Sequence, residues 1–181
     1  MDPNISVAVA LGAFFVWALL IGSRLVRLRA EVPAALAKVD AEARRLRDLV
    51  PTLEQTARAH LGHERETLDA LTAAHEAAQA SAATAPDAFA DGRSLSARAG
   101  AQDQLSSALN RLLAAAEAHP ELKQDQALQQ LARELNTGED RLSSARRSYD
   151  QAVTTYNAAL QAFPAVMFAG MLGFRPAAPL E

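Results

Sequence analysis

The sequence contains no cysteine, and aromatic residues are scarce, with one tryptophan, two tyrosines and six phenylalanines among 181 residues. The lack of cysteine excludes disulfides, thiolate catalysis and cysteine-ligated zinc. The scarcity of aromatic side chains, in a chain rich in alanine and leucine, favours helices packed on helices over a sheet. The chain also lacks a basic excess, since its formal net charge is -3, and no nucleic-acid partner is predicted. The predicted fold class is all-α.

Sequence motifs for catalysis and phosphate binding are absent as well. No Gly-x-Ser-x-Gly elbow marks a nucleophilic serine, and the eight glycines never form a G-x-G-x-x-G or G-x-x-x-x-G-K loop. The sequence therefore predicts no enzyme and no cofactor.

One long apolar run lies near the N-terminus. Residues 5–22 carry no charge, and a helix of that length rises ~27 Å, enough to cross the hydrocarbon of a bilayer. A buried core helix and a cleaved signal peptide are the alternatives, but the preceding residues 1–4 are acidic rather than basic and no A-x-A site follows. We therefore predict an uncleaved transmembrane helix over 5–25 in the cell membrane, with lipid as its partner. The anchor residues are Ile5, Phe14, Phe15, Trp17, Leu20 and Ile21.

The charges that flank this run predict its orientation. Arg24, Arg27 and Arg29 follow it, whereas only Asp2 precedes it, so the positive-inside rule places the long C-terminal domain in the cytoplasm. The three arginines either serve only as the topology signal or also contact anionic lipid head groups.

The remaining chain has the spacing of an elongated antiparallel bundle over 26–164, with three main helices at about 34–79, 96–119 and 121–162. The two long helices resemble coiled-coil helices, with a bend expected at Pro33 and a kink at Pro51. Apolar residues spaced by three and four mark the seam of each helix. These residues are Leu36, Val39, Ala43, Leu46, Val50, Leu53, Ala57, Leu61, Leu68 and Leu71, then Leu105, Leu109, Leu112 and Ala116, then Leu128, Leu131, Leu135, Leu142, Ala145, Tyr149, Ala152, Tyr156 and Phe163.

The middle helix is too short to cover both long helices. Apolar stripes should therefore stay exposed along the uncovered stretches, and such stripes mark interaction sites. A homo-oligomer in the membrane plane would bury them, and another membrane protein would serve equally well.

A short apolar tail, residues 165–181, follows the predicted bundle. It is too short to span a bilayer, and with Arg175 as its only basic residue it is predicted to dock on its own bundle or a neighbouring one. The residues predicted for oligomer or tail docking are Phe163, Pro164, Met167, Phe168, Met171, Leu172 and Phe174.

One group of potential metal ligands stands out. His60, His63 and Glu64 are three and four residues apart and share a helix face. The second histidine of an HExxH motif is missing, so a polar layer that sets helix register is the alternative to a metal site.

Short motifs along the chain match a known family pattern in order and spacing. In the N-terminal part they are Leu25-Val26-Arg27-Leu28-Arg29-Ala30-Glu31-Val32, Asp40, Arg45, Asp48-Leu49-Val50-Pro51-Thr52-Leu53 and His63-Glu64. In the C-terminal part they are Ala116-Glu117-Ala118-His119-Pro120-Glu121-Leu122-Lys123, Leu131, Glu134-Leu135, Glu139-Asp140-Arg141, Ala145-Arg146-Arg147-Ser148-Tyr149, Tyr156-Asn157, Phe163-Pro164 and Gly173-Phe174. Through these motifs the sequence resembles the LemA family over nearly its full length.

The chain departs from the family pattern at three places. Ser23-Arg24 replaces Tyr-Asn, Asp150 replaces an asparagine, and Leu180-Glu181 replaces an aromatic-Glu pair. The resemblance implies a membrane-anchored helical bundle and carries over no catalytic residue. The predicted function is a self-associating membrane scaffold or adaptor; the alternative is a sensor of a metal or small ligand through His60, His63 and Glu64.

Overall fold

Four α-helices form the part of the chain that the computed structural model describes, residues 3–60, 65–84, 87–89, 92–119, 125–162 and 173–180. Of residues 3–21 and 59–60, only the backbone is described. No strand occurs among these residues, so the predicted all-α class is confirmed for them. The helices are α1 (Pro3–His60), α2 (Arg65–Ala82), α3 (Gly92–Ala118) and α4 (Gln126–Gln161).

The first helix, α1, has 58 residues and continues through both of its internal prolines. Pro33 and Pro51 lie on its exposed face, where the carbonyls that lose a helical partner can bind water. The prolines therefore leave the buried seam of α1 uninterrupted.

The helix predicted over 34–79 is two helices, which corrects the count of three main helices to four. Thr72 of α2 hydrogen-bonds to Glu54 and Arg58 of α1, so the chain reverses direction between the two helices. In the sequence, Gly62 is the only residue between His60 and Arg65 that disfavours a helix. A single glycine costs a helix about 1 kcal/mol and does not by itself predict a reversal.

The later helices begin and end close to the predicted positions. The helix predicted over 96–119 is α3, Gly92–Ala118, and the helix predicted over 121–162 is α4, Gln126–Gln161. Asp125 caps α4, because its carboxylate accepts hydrogen bonds from the backbone nitrogens of Ala127 and Leu128.

Successive helices run in opposite directions. Thr84 and Arg98 pair across the α2–α3 turn, and Asp40 of α1 binds Arg98 at the same end of the bundle. Farther along, Leu46 of α1 meets Gly138 of α4. The structure is thus an up-down-up-down bundle in which α1 and α4 form one long antiparallel pair and α2 and α3 form a hairpin beside it.

The core follows a seven-residue repeat on both long helices. The buried repeats are Leu25, Val32, Val39, Leu46 and Leu53 on α1, and Leu128, Leu135, Leu142, Tyr149 and Tyr156 on α4. All the predicted seam residues of α1 from Leu36 to Ala57 are buried, as are those of α3. The predicted heptad seams are therefore confirmed for the described residues of α1 and α3, whereas Leu131, Ala145 and Ala152 of the predicted α4 seam are only partly buried.

The expected exposed apolar stripe is not present on the described surface. Val26 is the one large apolar side chain that is exposed among the described residues. The α2–α3 hairpin and the C-terminal segment cover the seam, which the prediction of one unbroken 34–79 helix did not allow. The argument for self-association through this stripe was therefore wrong.

Among the described side chains, no helical stretch is both long and apolar enough to cross a bilayer. The anchor residues Ile5, Phe14, Phe15, Trp17, Leu20 and Ile21 lie outside the described side chains, although α1 includes their backbone.

Candidate interaction site

The C-terminal segment 173–180, here called the docked tail, lies in a non-helical conformation against α4. Ala177 and Leu180 are buried among the core residues. Side chains of α4 and the segment 87–89 hold the docked tail, mainly through its backbone. We call these side chains and this segment together the tail surface. The side chains of the tail surface that bind the tail backbone are Tyr149, Asp150, Tyr156 and Asn157.

Asn157 binds one tail residue at both of its backbone groups. Its Nδ2 donates to the carbonyl of Ala177 at 2.9 Å, and its Oδ1 accepts from the nitrogen of Ala177 at 2.9 Å. A side-chain amide can bind the N–H and the C=O of one residue in this two-bond manner because it offers one donor and one acceptor side by side. Pro176 and Pro179, which lack an N–H, stand at positions where no donor is used.

The two tyrosines of the chain both hold the tail. The hydroxyl of Tyr149 donates to the carbonyl of Ala178 at 2.6 Å, and that of Tyr156 donates to the carbonyl of Arg175 at 2.9 Å. Burial, and then the charge of Asp150, raise the pKa of Tyr149 to about 12. Burial also raises the pKa of Tyr156, although Arg29 acts in the opposite direction. Both hydroxyls therefore keep their protons and remain donors.

Two further contacts position the end of the tail. The nitrogen of Ala178 donates to the carbonyl of Ala88, and the nitrogen of Leu180 donates to Asp150 Oδ1 at 3.2 Å. A Cβ at Gly92 would stand 3.2 Å from that of Ala178, so the start of α3 also approaches the tail closely.

Arg29 links the tail surface to α1. Its guanidinium lies 5.2 Å from the ring centre of Phe89 and 5.4 Å from that of Phe174, within the range of cation–π attraction. The ring of Phe89 in turn packs edge-on against Tyr156. Arg29 is seven residues beyond Gly22, so this contact is ~10 Å from the end of the apolar run.

The predicted site residues have different outcomes. Phe174 is partly buried against the core and contacts Arg29. Arg24 and Arg27 are exposed, and Arg27 lies 3.8 Å from Glu31. The other predicted docking residues, Phe163, Pro164, Met167, Phe168, Met171 and Leu172, lie outside the described residues.

The predicted metal ligands are not tested. The side chain of His60 and the whole of His63 and Glu64 fall outside the described part. Within that part, no three His, Asp or Glu side chains come together as a metal site would require.

The sequence prediction missed the polar residues that hold the tail. From the sequence, Tyr149 and Tyr156 are predicted as seam residues, whereas Asn157 enters only through the family resemblance and Asp150 only as a departure from the family pattern. Their spacing places them on adjoining faces of α4, but sequence alone does not say what lies opposite them.

A model of the LemA family matches residues 35–181, which is more than half of the chain. The chain belongs to the LemA family. The resemblance seen in the sequence is confirmed, and the docked tail lies within the LemA match. A search of curated proteins found no match to this LemA family chain.

Raising the pH tests the role of the tyrosines. Tyr149 has a folded-state pKa of about 12 against an ordinary value of 10.0, so its contribution to stability is complete below pH 10. Between about pH 10 and 12 the unfolded chain loses this proton while the folded chain keeps it, and stability falls. Tyrosinate absorbance reports only Tyr149 and Tyr156, and in the folded chain we expect Tyr149 to titrate near pH 12 and the pKa of Tyr156 to lie above its ordinary value of 10.0. Titration of both groups near 10 would contradict the docking.

Proposed function

We propose that this LemA family chain is a membrane-anchored helical scaffold or adaptor without catalytic activity. Residues 5–25 cross the cell membrane once, and the bundle with its docked tail stands in the cytoplasm. Copies of the chain associate with one another in the membrane, and other membrane proteins are possible partners.

The continuity of α1 is the observation that carries this proposal. The apolar run and the seam of the bundle belong to one helix, Pro3–His60, and the first buried residue among its described side chains is Leu25, three residues beyond Gly22. A helix of 58 residues measures ~87 Å, so it is long enough to cross a bilayer and still form the backbone of the bundle. A protein anchored this way holds its bundle at a fixed height above the membrane.

The orientation of the anchor is supported by the exposed arginines. Arg24 and Arg27 project from the first turns after the apolar run, and their charges favour the cytoplasmic side. At this end of the bundle they also lie where anionic head groups would be.

The interactions that the polar side chains make support a scaffold role without catalytic activity. Two of the side chains with a shifted pKa, Tyr149 and Tyr156, bind the chain's own tail. The described grooves between the helices are open and lined by pairs of opposite charge, such as Glu42 with Arg45, rather than by converging catalytic groups.

Association is assigned to the membrane helix, because the bundle covers its own seam. Within the apolar run, Ala8 and Gly12 are four residues apart, and small residues at this spacing let two membrane helices approach closely. The proposed contact between copies therefore lies in lipid rather than in water.

Replacing Gly12 by leucine is the test. The larger side chain should keep the two helices apart and weaken association about tenfold, the equivalent of the 1–2 kcal/mol typical of such contacts. Association is measured by cross-linking of the full-length chain in native membranes. Ala10→Leu, on the opposite helix face, is the matched control and should leave the cross-linked species unchanged. A wild-type chain that stays freely soluble and strictly monomeric would refute both the anchor and the scaffold.

A further inference from the structure

We propose that the bundle binds one small monatomic anion, a chloride-sized halide, in a small, partly open cavity between α1, α3, α4 and the end of α2. The cavity has a volume of about 30 Å³, and we call it the arginine cavity after Arg47, Arg98 and Arg146 in its wall. Its remaining polar lining is Asp40, Ser81 and Gln102. Apolar side chains line the rest of it, among them Leu36, Val39, Leu95, Leu142 and Leu180.

Gln102 is the first observation that points to a ligand. It is only 4% exposed and is the one buried polar residue of the described core. Its Oε1 accepts from Arg47 Nη1 at 3.2 Å, which fixes the orientation of the amide, since the flipped amide would set donor against donor. Its Nε2 is then a buried donor without a protein partner. Such groups are rare in folded proteins and call for a bound acceptor.

The charge balance is the second observation. Arg98 donates to Asp40 and to the carbonyl of Thr84, and Arg146 donates to Asp103. Asp40, the carboxylate in the cavity wall, is thus already engaged by Arg98.

Arg47 is the arginine of the cavity that makes no close ion pair. It bonds to the neutral Gln102 and lies within ion-pair distance of no described carboxylate. Burial and the nearby charges of Arg98 and Arg44 lower the pKa of Arg47, and Asp40 and Asp48 oppose this only in part. An anion in the cavity would offset this repulsion and accept from Gln102 Nε2 at the same time.

The size of the cavity selects the kind of ligand. A water molecule needs about 10–15 Å³ of accessible cavity volume, so about 30 Å³ suits an atom-sized ligand better than a sulfate or phosphate. A water could also accept from Gln102, but it would leave the excess positive charge unbalanced. The surplus of donors and of charge favours a halide over water.

Thermal unfolding of the full-length chain in detergent tests the proposal. We compare sodium chloride with sodium gluconate at equal ionic strength, because gluconate is too large to enter. At about ten times the half-saturating concentration, chloride should raise the unfolding midpoint by about 3–6 °C, and the rise should saturate. Bromide should act like chloride.

Gln102→Leu should abolish the chloride-specific rise, whereas Gln104→Leu, an exposed glutamine on the same helix, should keep it. Broadening of the chloride NMR line by the wild-type chain, and its loss in Arg47→Gln, gives a second measurement that does not depend on folding of the leucine variant. Equal midpoints in the two salts, with no line broadening, would show that the cavity holds water and would overturn the proposal.

Discussion

Replacing Leu46 by alanine is expected to destabilise the bundle by about 2–5 kcal/mol and to reverse the effect of Gly138→Ala. Leu46 is 1% exposed and lies at the centre of the α1–α4 seam. A Cβ built at Gly138 would stand 2.6 Å from Leu46 Cδ2, closer than carbon atoms approach. In the wild-type chain, Gly138→Ala therefore requires the Leu46 side chain to move, and because Leu46 Cγ also lies 3.3 Å from the added Cβ we expect a cost of about 1–3 kcal/mol, more than the ~1 kcal/mol that alanine adds to helix stability.

The reversal appears in the Leu46→Ala background. Alanine at 46 removes the colliding methyl group, so Gly138→Ala should then stabilise the chain by about 1 kcal/mol. Denaturant unfolding of the four chains measures this coupling. Gly100→Ala is the matched control, since nothing lies within 4 Å of a Cβ there, and it should stabilise both backgrounds alike. Additive effects of the two seam substitutions would show that α1 and α4 do not pack in this register.

Replacing Tyr156 by alanine is expected to cost about 3–5 kcal/mol, the range for a large aromatic side chain lost from a core. Tyr156 is fully buried, contacts the ring of Phe89 and donates to the carbonyl of Arg175. The change therefore removes a seam residue and one attachment of the tail together. We expect lower stability to denaturant and faster proteolytic loss of residues 173–180.

Tyr156→Phe separates the two roles. Phenylalanine keeps the ring in the seam and removes only the hydroxyl, so the cost should fall to about 1 kcal/mol, with a smaller increase in tail proteolysis. If the alanine and phenylalanine variants lose the tail equally fast and at equal stability, the ring contributes nothing and the described packing is incorrect.

The helical seams were predictable because burial on a helix repeats with a fixed period. Leu36, Val39 and Leu46 are apolar at the spacing that one helix face requires, and all three are buried. The repeat does not encode direction, however. The reversal after α1 was missed since Gly62 is the only interruption there, and hence the covering hairpin was missed as well.

The tail surface could be predicted only in part. Docking of the tail was expected from its apolar residues, and Phe174 takes part in it. The contacts themselves join side chains of α4 to the tail backbone, and backbone groups carry no sequence signal. Asp150 illustrates this, because it accepts from the nitrogen of Leu180, which a different residue at that position would also supply.

The continuity of α1 fixes how its two ends are oriented relative to each other. Because one helix runs from Pro3 to His60, a rotation of its N-terminal part about the helix axis turns the part that carries Leu25 by the same angle. One residue added or removed between Gly22 and Leu25 would rotate the bundle by about 100° relative to the N-terminal part and shift it ~1.5 Å along the axis. The number of residues between the apolar run and Leu25 thus determines the direction in which the bundle faces.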